Sequence, residues 1–148
     1  MQRKLLTLRL VLLLLGVIAL ATVASADDVQ VTDQVSDRIR VVDGDTIELN
    51  GMPIRIQAID TPETWKPRCP NEYRLGLLAK QRMQQLMDGG AMTYTVTGFD
   101  RFGRILANVQ AGGTDVGETL LREGHALPYV AGPVDKARRL AVWCPADR

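Results

Sequence analysis

Asn50-Gly51 lies between two short runs that alternate apolar and polar residues. Thr46-Ile-Glu-Leu49 precedes it, and Met52-Pro-Ile-Arg-Ile-Gln-Ala-Ile59, alternating from Ile54 onward, follows. Period-two alternation marks a half-buried strand, and Asn-Gly between two such runs is a strong hairpin signal because both residues accept the positive φ of a two-residue turn. Folding the chain there brings the two open ends of the hairpin together. Both ends are acidic: Asp43 and Asp45 on one side, Asp60 and Glu63 on the other. Carboxylates gathered at one end of a sheet repel one another unless a cation lies between them. Any fold for this chain has to answer that repulsion.

The remaining segments supply a small domain around the hairpin. Arg38-Ile-Arg-Val-Val42 is β-rich and stops at Asp43-Gly44; Met92 to Phe99 and Arg104 to Ala111 read as two more strands, separated by the turn Asp100-Arg-Phe-Gly103. Glu72 to Asp88 reads as a helix with Leu75, Leu78, Ala79, Met83 and Leu86 on one stripe and Gly89-Gly90 as its stop. Asp115 to Glu123 and Asp135 to Trp143 read as two further helices. Five strands, a helix between the third and fourth, and helices after the fifth predict an α+β fold, a five-stranded barrel of OB type with about three helices.

The N-terminus reads differently. Arg3, Lys4 and Arg9 precede an apolar run from Leu10 to Ala21, which leads to Ala24-Ser-Ala26. A basic start, a short apolar core and an Ala-x-Ala ending describe a signal peptide over residues 1–26, and the run is short for a membrane span. The expectations are cleavage after Ala26, a spacer over residues 27–37, a domain over residues 38–148, and a secreted or periplasmic protein without stable membrane association. The rival is an uncleaved anchor, which the mass of the exported protein distinguishes. Residues 1–26 hold three of the 18 Lys and Arg and none of the 17 Asp and Glu, so their removal leaves a net charge of −2. A domain of that charge is not a generic basic nucleic-acid binder; local arginines, helped by a bound cation, have to hold any polyanion. Two cysteines, Cys69 and Cys144, after an export signal predict one disulfide, against the alternative of two free thiols. Trp65 and Trp143, near the two cysteines, are expected to pack around that junction.

The side chains that bear chemistry point to oxygen-rich ligation. Asp45 and Asp60 supply carboxylates from neighbouring strand ends, Thr61 a backbone carbonyl, and Glu63 a group able to orient or deprotonate water. No cluster of histidine and cysteine favours zinc. Arg55, on the same hairpin, and Arg104 are forked donors suited to phosphate oxygens and to the extra charge of a pentacovalent transition state. Taken singly, each acid reads more readily as a turn former, strand cap or solvated group, and each arginine as half of a surface ion pair; acids at both ends of one hairpin shift the balance toward a site.

Four stretches together, Asp43-Gly-Asp-Thr46, Arg55-Ile-Gln-Ala-Ile-Asp-Thr-Pro-Glu63, Asp100-Arg-Phe-Gly-Arg104 and Leu120-Leu-Arg-Glu-Gly124, resemble in order and spacing the motifs of staphylococcal nuclease and its thermonuclease-like relatives. The resemblance runs from about Arg38 to Tyr129. It implies an OB-fold nuclease that uses calcium to hydrolyse phosphodiesters of DNA and RNA with little sequence specificity, leaving 3′-phosphate ends. It implies Asp45, Asp60 and Thr61 as metal ligands, Asp43 as an acid beside them, Glu63 beside the attacking water, and Arg55 and Arg104 on the phosphate. Phe102 stands where the reference enzyme has tyrosine, and Tyr129 lies near, one residue offset from, a base-stacking tyrosine. The expected partner is nucleic acid, with single strands favoured because a shallow barrel face takes splayed nucleotides more readily than closed duplex; the expected state is a monomer. The alternatives are a non-catalytic OB-type module that binds nucleic acid or another anion, and an envelope-anchored interaction protein.

Overall fold

The hairpin forms where the Asn-Gly pair places it. The structure, a computed structural model, describes residues 38–146; the expected signal peptide and spacer lie outside the described residues. Strand β1 (Ile39–Val41) pairs antiparallel with β2 (Thr46–Leu49), which pairs antiparallel with β3 (Met52–Ile56). Leu49 opposes Met52, and Asn50 and Gly51 take φ of 52° and 87°, the two positive values of a tight hairpin turn. After β4 (Ile59–Asp60) the chain enters helix α1 (Pro70–Asp88), then β5 (Met92–Phe99), β6 (Ile105–Ala111) and β7 (Thr114–Asp115). Helix α2 (Val116–Arg122), β8 (Leu127–Pro128) and α3 (Pro133–Trp143) complete the described elements.

The main sheet runs β1-β2-β3-β6-β5, with β7 added to β6; β3 and β6 are its parallel pair, and β4 pairs with β8 separately. Five longer strands in this order with three helices make the α+β, OB-type architecture predicted from the sequence. Ile47, Ile54, Ile56, Val109, Met83, Val116 and Leu120 fill the interior, all at most 2% exposed. Alternation along β3 therefore buries Ile54 and Ile56 and leaves Arg55 on the other face, opposite Leu106 of β6. Arg104, two residues before Leu106, belongs to that same face.

The predicted third strand does not run unbroken to Ile59. Ala58 adopts φ 63°, Gln57 N–H donates to the Ala107 carbonyl at 2.9 Å, and Tyr129 N–H donates to the Ala58 carbonyl at 2.8 Å. The chain turns out of the main sheet there so that Ile59 and Asp60 can pair with β8. Helix α1 starts earlier than Glu72, because Pro70 suits a first turn and Cys69 caps it, its Sγ accepting from Glu72 N–H at 3.3 Å. Its buried stripe is also rotated from the leucine-based expectation: Glu72, Gly76, Ala79, Met83, Leu86 and Met87 face inward while Leu78 is exposed.

Small residues on that stripe let the acidic segments close up. A Cβ on Gly76 would lie 2.6 Å from the Pro62 carbonyl oxygen, and one on Gly44 would lie 2.6 Å from the Ala79 Cβ and 2.8 Å from the Thr61 Oγ1. Helix α1 thus clamps the Asp43–Asp45 turn and the Asp60–Glu63 segment through close backbone approach. Gly76→Ala, which would help an isolated helix by about 1 kcal/mol, is expected to destabilise this protein by about 1–3 kcal/mol through overpacking against backbone. Denaturant unfolding checks this, and an unchanged or raised midpoint would contradict it.

Cys69 and Cys144 form the expected disulfide, spanning 75 residues. It joins the cap of α1 to the end of α3, beside an Asn71 Nδ2 donation to the Trp143 carbonyl at 2.8 Å. Trp143 is buried at this junction; Trp65, by contrast, is 78% exposed and takes no part in its interior. In the chain-entropy account a loop of this length is stabilised by about 4 kcal/mol. Reduction is expected to lower unfolding free energy by roughly that amount, and equal unfolding curves with and without reductant would contradict the expectation.

Candidate active site

The sheet, the β4–β8 pair and α1 deliver every site residue singled out in the sequence to one place. Asp45, Asp60, Thr61, Arg55, Glu63 and Arg104 line a single cavity of about 220 Å³, together with Asp43, Pro62 and Tyr129. Asp45 enters from the turn before β2, where its N–H donates to Asp43 Oδ1 at 3.2 Å and its carbonyl accepts from Ile56 N–H at 2.8 Å. Its carboxylate is 4% exposed and fully engaged: Oδ1 accepts from Thr46 Oγ1 at 3.0 Å and Arg55 NH1 at 2.5 Å, and Oδ2 accepts from Thr61 N–H at 3.1 Å.

Arg55 bridges the two sides of the hairpin. Its NH2 donates to Asp60 Oδ1 at 2.8 Å and to the Ile59 carbonyl at 3.2 Å while NH1 holds Asp45. The guanidinium therefore supplies part of the positive charge that the gathered acids require. Burial, then the charges of Asp45 and Asp60, act on Arg55 in opposite senses, and the acids win: its proton is held more tightly than usual.

One arginine does not neutralise the site. Burial pushes the Asp45 carboxyl up to about 7; Arg55 pulls it down, but Asp43 and Asp60 push it further up. Glu63 stands at the rim, and partial burial, followed by the charges of Asp43, Asp60 and Glu72, raises its carboxyl above the usual range against a smaller pull from Arg55. Arg104 lines the cavity while its Nε donates to Asp100 Oδ2 at 2.6 Å. Asp100 Oδ1 also accepts from the N–H groups of Phe102 and Arg104, which fixes the turn that carries this arginine.

A larger groove of about 800 Å³ shares Arg55, Asp60, Glu63, Arg104 and Tyr129 with the small cavity. It extends past Arg101, Phe102, Lys136 and Arg139. Phe102 is 70% exposed and Tyr129 48%, so both rings present surface to a ligand. Arg101 and Arg104 lie 4.7 and 5.7 Å from the Phe102 ring centre. Arg139, which the motif pattern did not single out, donates from Nε to Asp60 Oδ2 at 2.7 Å.

An OB-type α+β domain whose carboxylates and guanidinium groups meet in one cavity beside an aromatic-lined groove defines a class of small domain suited to engaging phosphate-bearing chains. Residues 53–142 match the family described as staphylococcal nuclease homologue, and the chain belongs to that family. It is 40% identical over 126 residues to the SPbeta prophage-derived endonuclease YokF of Bacillus subtilis (strain 168), covering 70% of this chain and 42% of that protein. It is 41% identical over 106 residues to Endonuclease YncB of the same organism, covering 66% and 49%. It is 35% identical over 124 residues to an uncharacterized endonuclease of Escherichia coli, covering 74% of this chain and 76% of that protein. The chain thus spans less than half the length of the two Bacillus relatives.

By donor chemistry the cavity suits a hard divalent cation, although among the described residues no three acids stand close enough to form a ready ligand cluster. The Asp45 and Asp60 oxygens already accept from Arg55, Arg139, Thr46 and the Thr61 N–H. Asp43, Asp45, Asp60 and Glu63 offer carboxylate oxygens, and neither thiol nor imidazole lines the cavity. Asp45, Asp60 and the Thr61 carbonyl are the oxygen donors the motif resemblance assigns to such an ion, and all three residues line this cavity.

Proposed function

We propose that this chain is a nuclease that hydrolyses phosphodiester bonds of DNA and RNA with calcium, showing little sequence specificity. The observation that carries the reading is the convergence of Asp45, Asp60, Thr61, Glu63, Arg55 and Arg104 on one cavity that opens into a larger groove. Relatives named as endonucleases support the activity.

The groove takes an unpaired strand, whose bases find stacking surface on Phe102 and Tyr129 and whose backbone passes the arginines. Arg55 and Arg104 bind the scissile phosphate and stabilise the charge that accumulates on its oxygens. Glu63 accepts a proton from water as the water oxygen bonds to phosphorus. The bond from phosphorus to the 5′ oxygen breaks, the departing oxygen takes up a proton, and a 3′-phosphate end remains. Asp45, Asp60 and the Thr61 carbonyl would hold calcium, which would supply further positive charge beside the phosphoryl group. The protein acts as a secreted or periplasmic monomer once residues 1–26 are removed.

Incubation of the purified protein with heat-denatured DNA and with RNA, in calcium and in chelator, tests the reading. Calcium-dependent fragments bearing 3′-phosphate ends are expected. Substrate binding without cleavage in calcium would overturn the enzyme reading in favour of a binding module.

A further inference from the structure

Helix α3 carries a buried arginine that meets two residues of the site, Asp60 and Tyr129. Arg139 is only 7% exposed, and burying a guanidinium is costly unless its donors are matched. Nε donates to Asp60 Oδ2 at 2.7 Å, and NH1 donates to the Val130 carbonyl at 3.1 Å. Asp60 therefore lies between two guanidinium groups, Arg55 on Oδ1 and Arg139 on Oδ2. The Tyr129 ring lies between the same pair, 5.6 Å from Arg55 and 5.2 Å from Arg139. Where α3 stands is in turn fixed by the Cys69–Cys144 bond at its end and by buried Trp143, one turn beyond Arg139.

We infer that Arg139 is a positioning residue of the cleavage site, acting through Asp60 and Tyr129. The inference rests on the nuclease reading and deepens it. One fork holds the orientation of the Asp60 carboxylate from the oxygen that Arg55 does not use, while its other arm ties the Tyr129–Val130 segment to the same point. A lysine has the charge but not the planar pair of donors needed to reach a carboxylate and a carbonyl together. Arg139 makes α3, and through it the disulfide, one wall of the site.

The test compares the full chain with Arg139→Gln and Arg139→Lys. Calorimetric titration with calcium alone is read beside kcat and KM on denatured DNA. Arg139→Gln is expected to weaken calcium binding and lower kcat by about 10- to 100-fold each, the usual effect of removing a group that orients a metal ligand, with KM little changed. Arg139→Lys, which keeps the buried charge, is expected to fall between; it carries the test alone if the glutamine variant does not fold. Parental calcium affinity and kcat in the folded variants, with only a lowered melting temperature, would overturn the inference and leave the nuclease reading intact. A parent protein that neither binds calcium nor cleaves would overturn both.

Discussion

Arg55→Ala is expected to cost the protein both its activity and a large part of its stability. The side chain is 15% exposed and bridges Asp45, itself nearly sealed from solvent, to Asp60. Removing one partner of a buried ion pair leaves uncompensated charge and typically costs about 3–5 kcal/mol. The loss here falls on two carboxylates, one of them already pushed up to about 7. Cleavage is expected to fall by about 10²–10³-fold, the scale for loss of one donor to the transition-state charge. Calcium should recover part of the lost stability, because a cation between the acids takes over some of the neutralising role. Urea unfolding of the variant in chelator and in calcium checks this, and a variant as stable as the parent in chelator would contradict it.

Glu63→Gln is expected to do the opposite to stability while still removing activity. Partial burial, then the charges of Asp43, Asp60 and Glu72, raise this carboxyl above the ordinary glutamate value of 4.5. The folded state therefore disfavours its ionised form. The stability contributed by protonation is present below the unfolded value and lost as pH rises through the raised folded value. At neutral pH the parent carries that penalty and glutamine does not, so the variant should be at least as stable there. The activity has the reverse dependence: a base must be ionised, so kcat/KM should fall as pH drops through a value above 4.5. Loss of the base should lower kcat by about 10²–10⁴-fold and remove that acidic limb from any residual rate. A variant with parental kcat would place the base elsewhere.

The local parts of this structure were legible because their signals are local. Asn50-Gly51 specifies its own turn, alternation assigns Ile54 and Ile56 inward and Arg55 outward, and two cysteines leave one intramolecular pairing. Asp45 and Asp60 could be placed together because a two-residue turn fixes the register between them. The early start of α1 is local, set by Cys69 and Pro70, but three other departures come from tertiary contact. Ala58 has no turn-forming chemistry, yet pairing of β4 with β8 imposes its positive φ. Gly76 reads as a weak helix residue, and only the Pro62 carbonyl against it shows why a side chain there is excluded. Leu78 was expected inward, but the close approach of the acidic segment rotates α1 so that its small residues face that segment.

Arg139 carries the weakest sequence signal among the site's neighbours. It lies 79 residues after Asp60, in a run that also contains Lys136 and Arg138. One signal was available: Arg139 and Trp143 are four apart, hence on one helix face, and the tryptophan calls for burial. A basic residue on the apolar side of a terminal helix needs a buried acid, and in this fold that acid is Asp60.

In the proposed function one cavity does the chemistry. The most direct test is calcium-dependent cleavage of denatured DNA by the parent and by Glu63→Gln side by side, with substrate affinity measured for both. The predicted result is calcium-dependent cleavage by the parent, and near-parental binding with cleavage reduced about 10²-fold or more in the variant. Equal cleavage by the two proteins, or no cleavage by the parent in calcium, would contradict it.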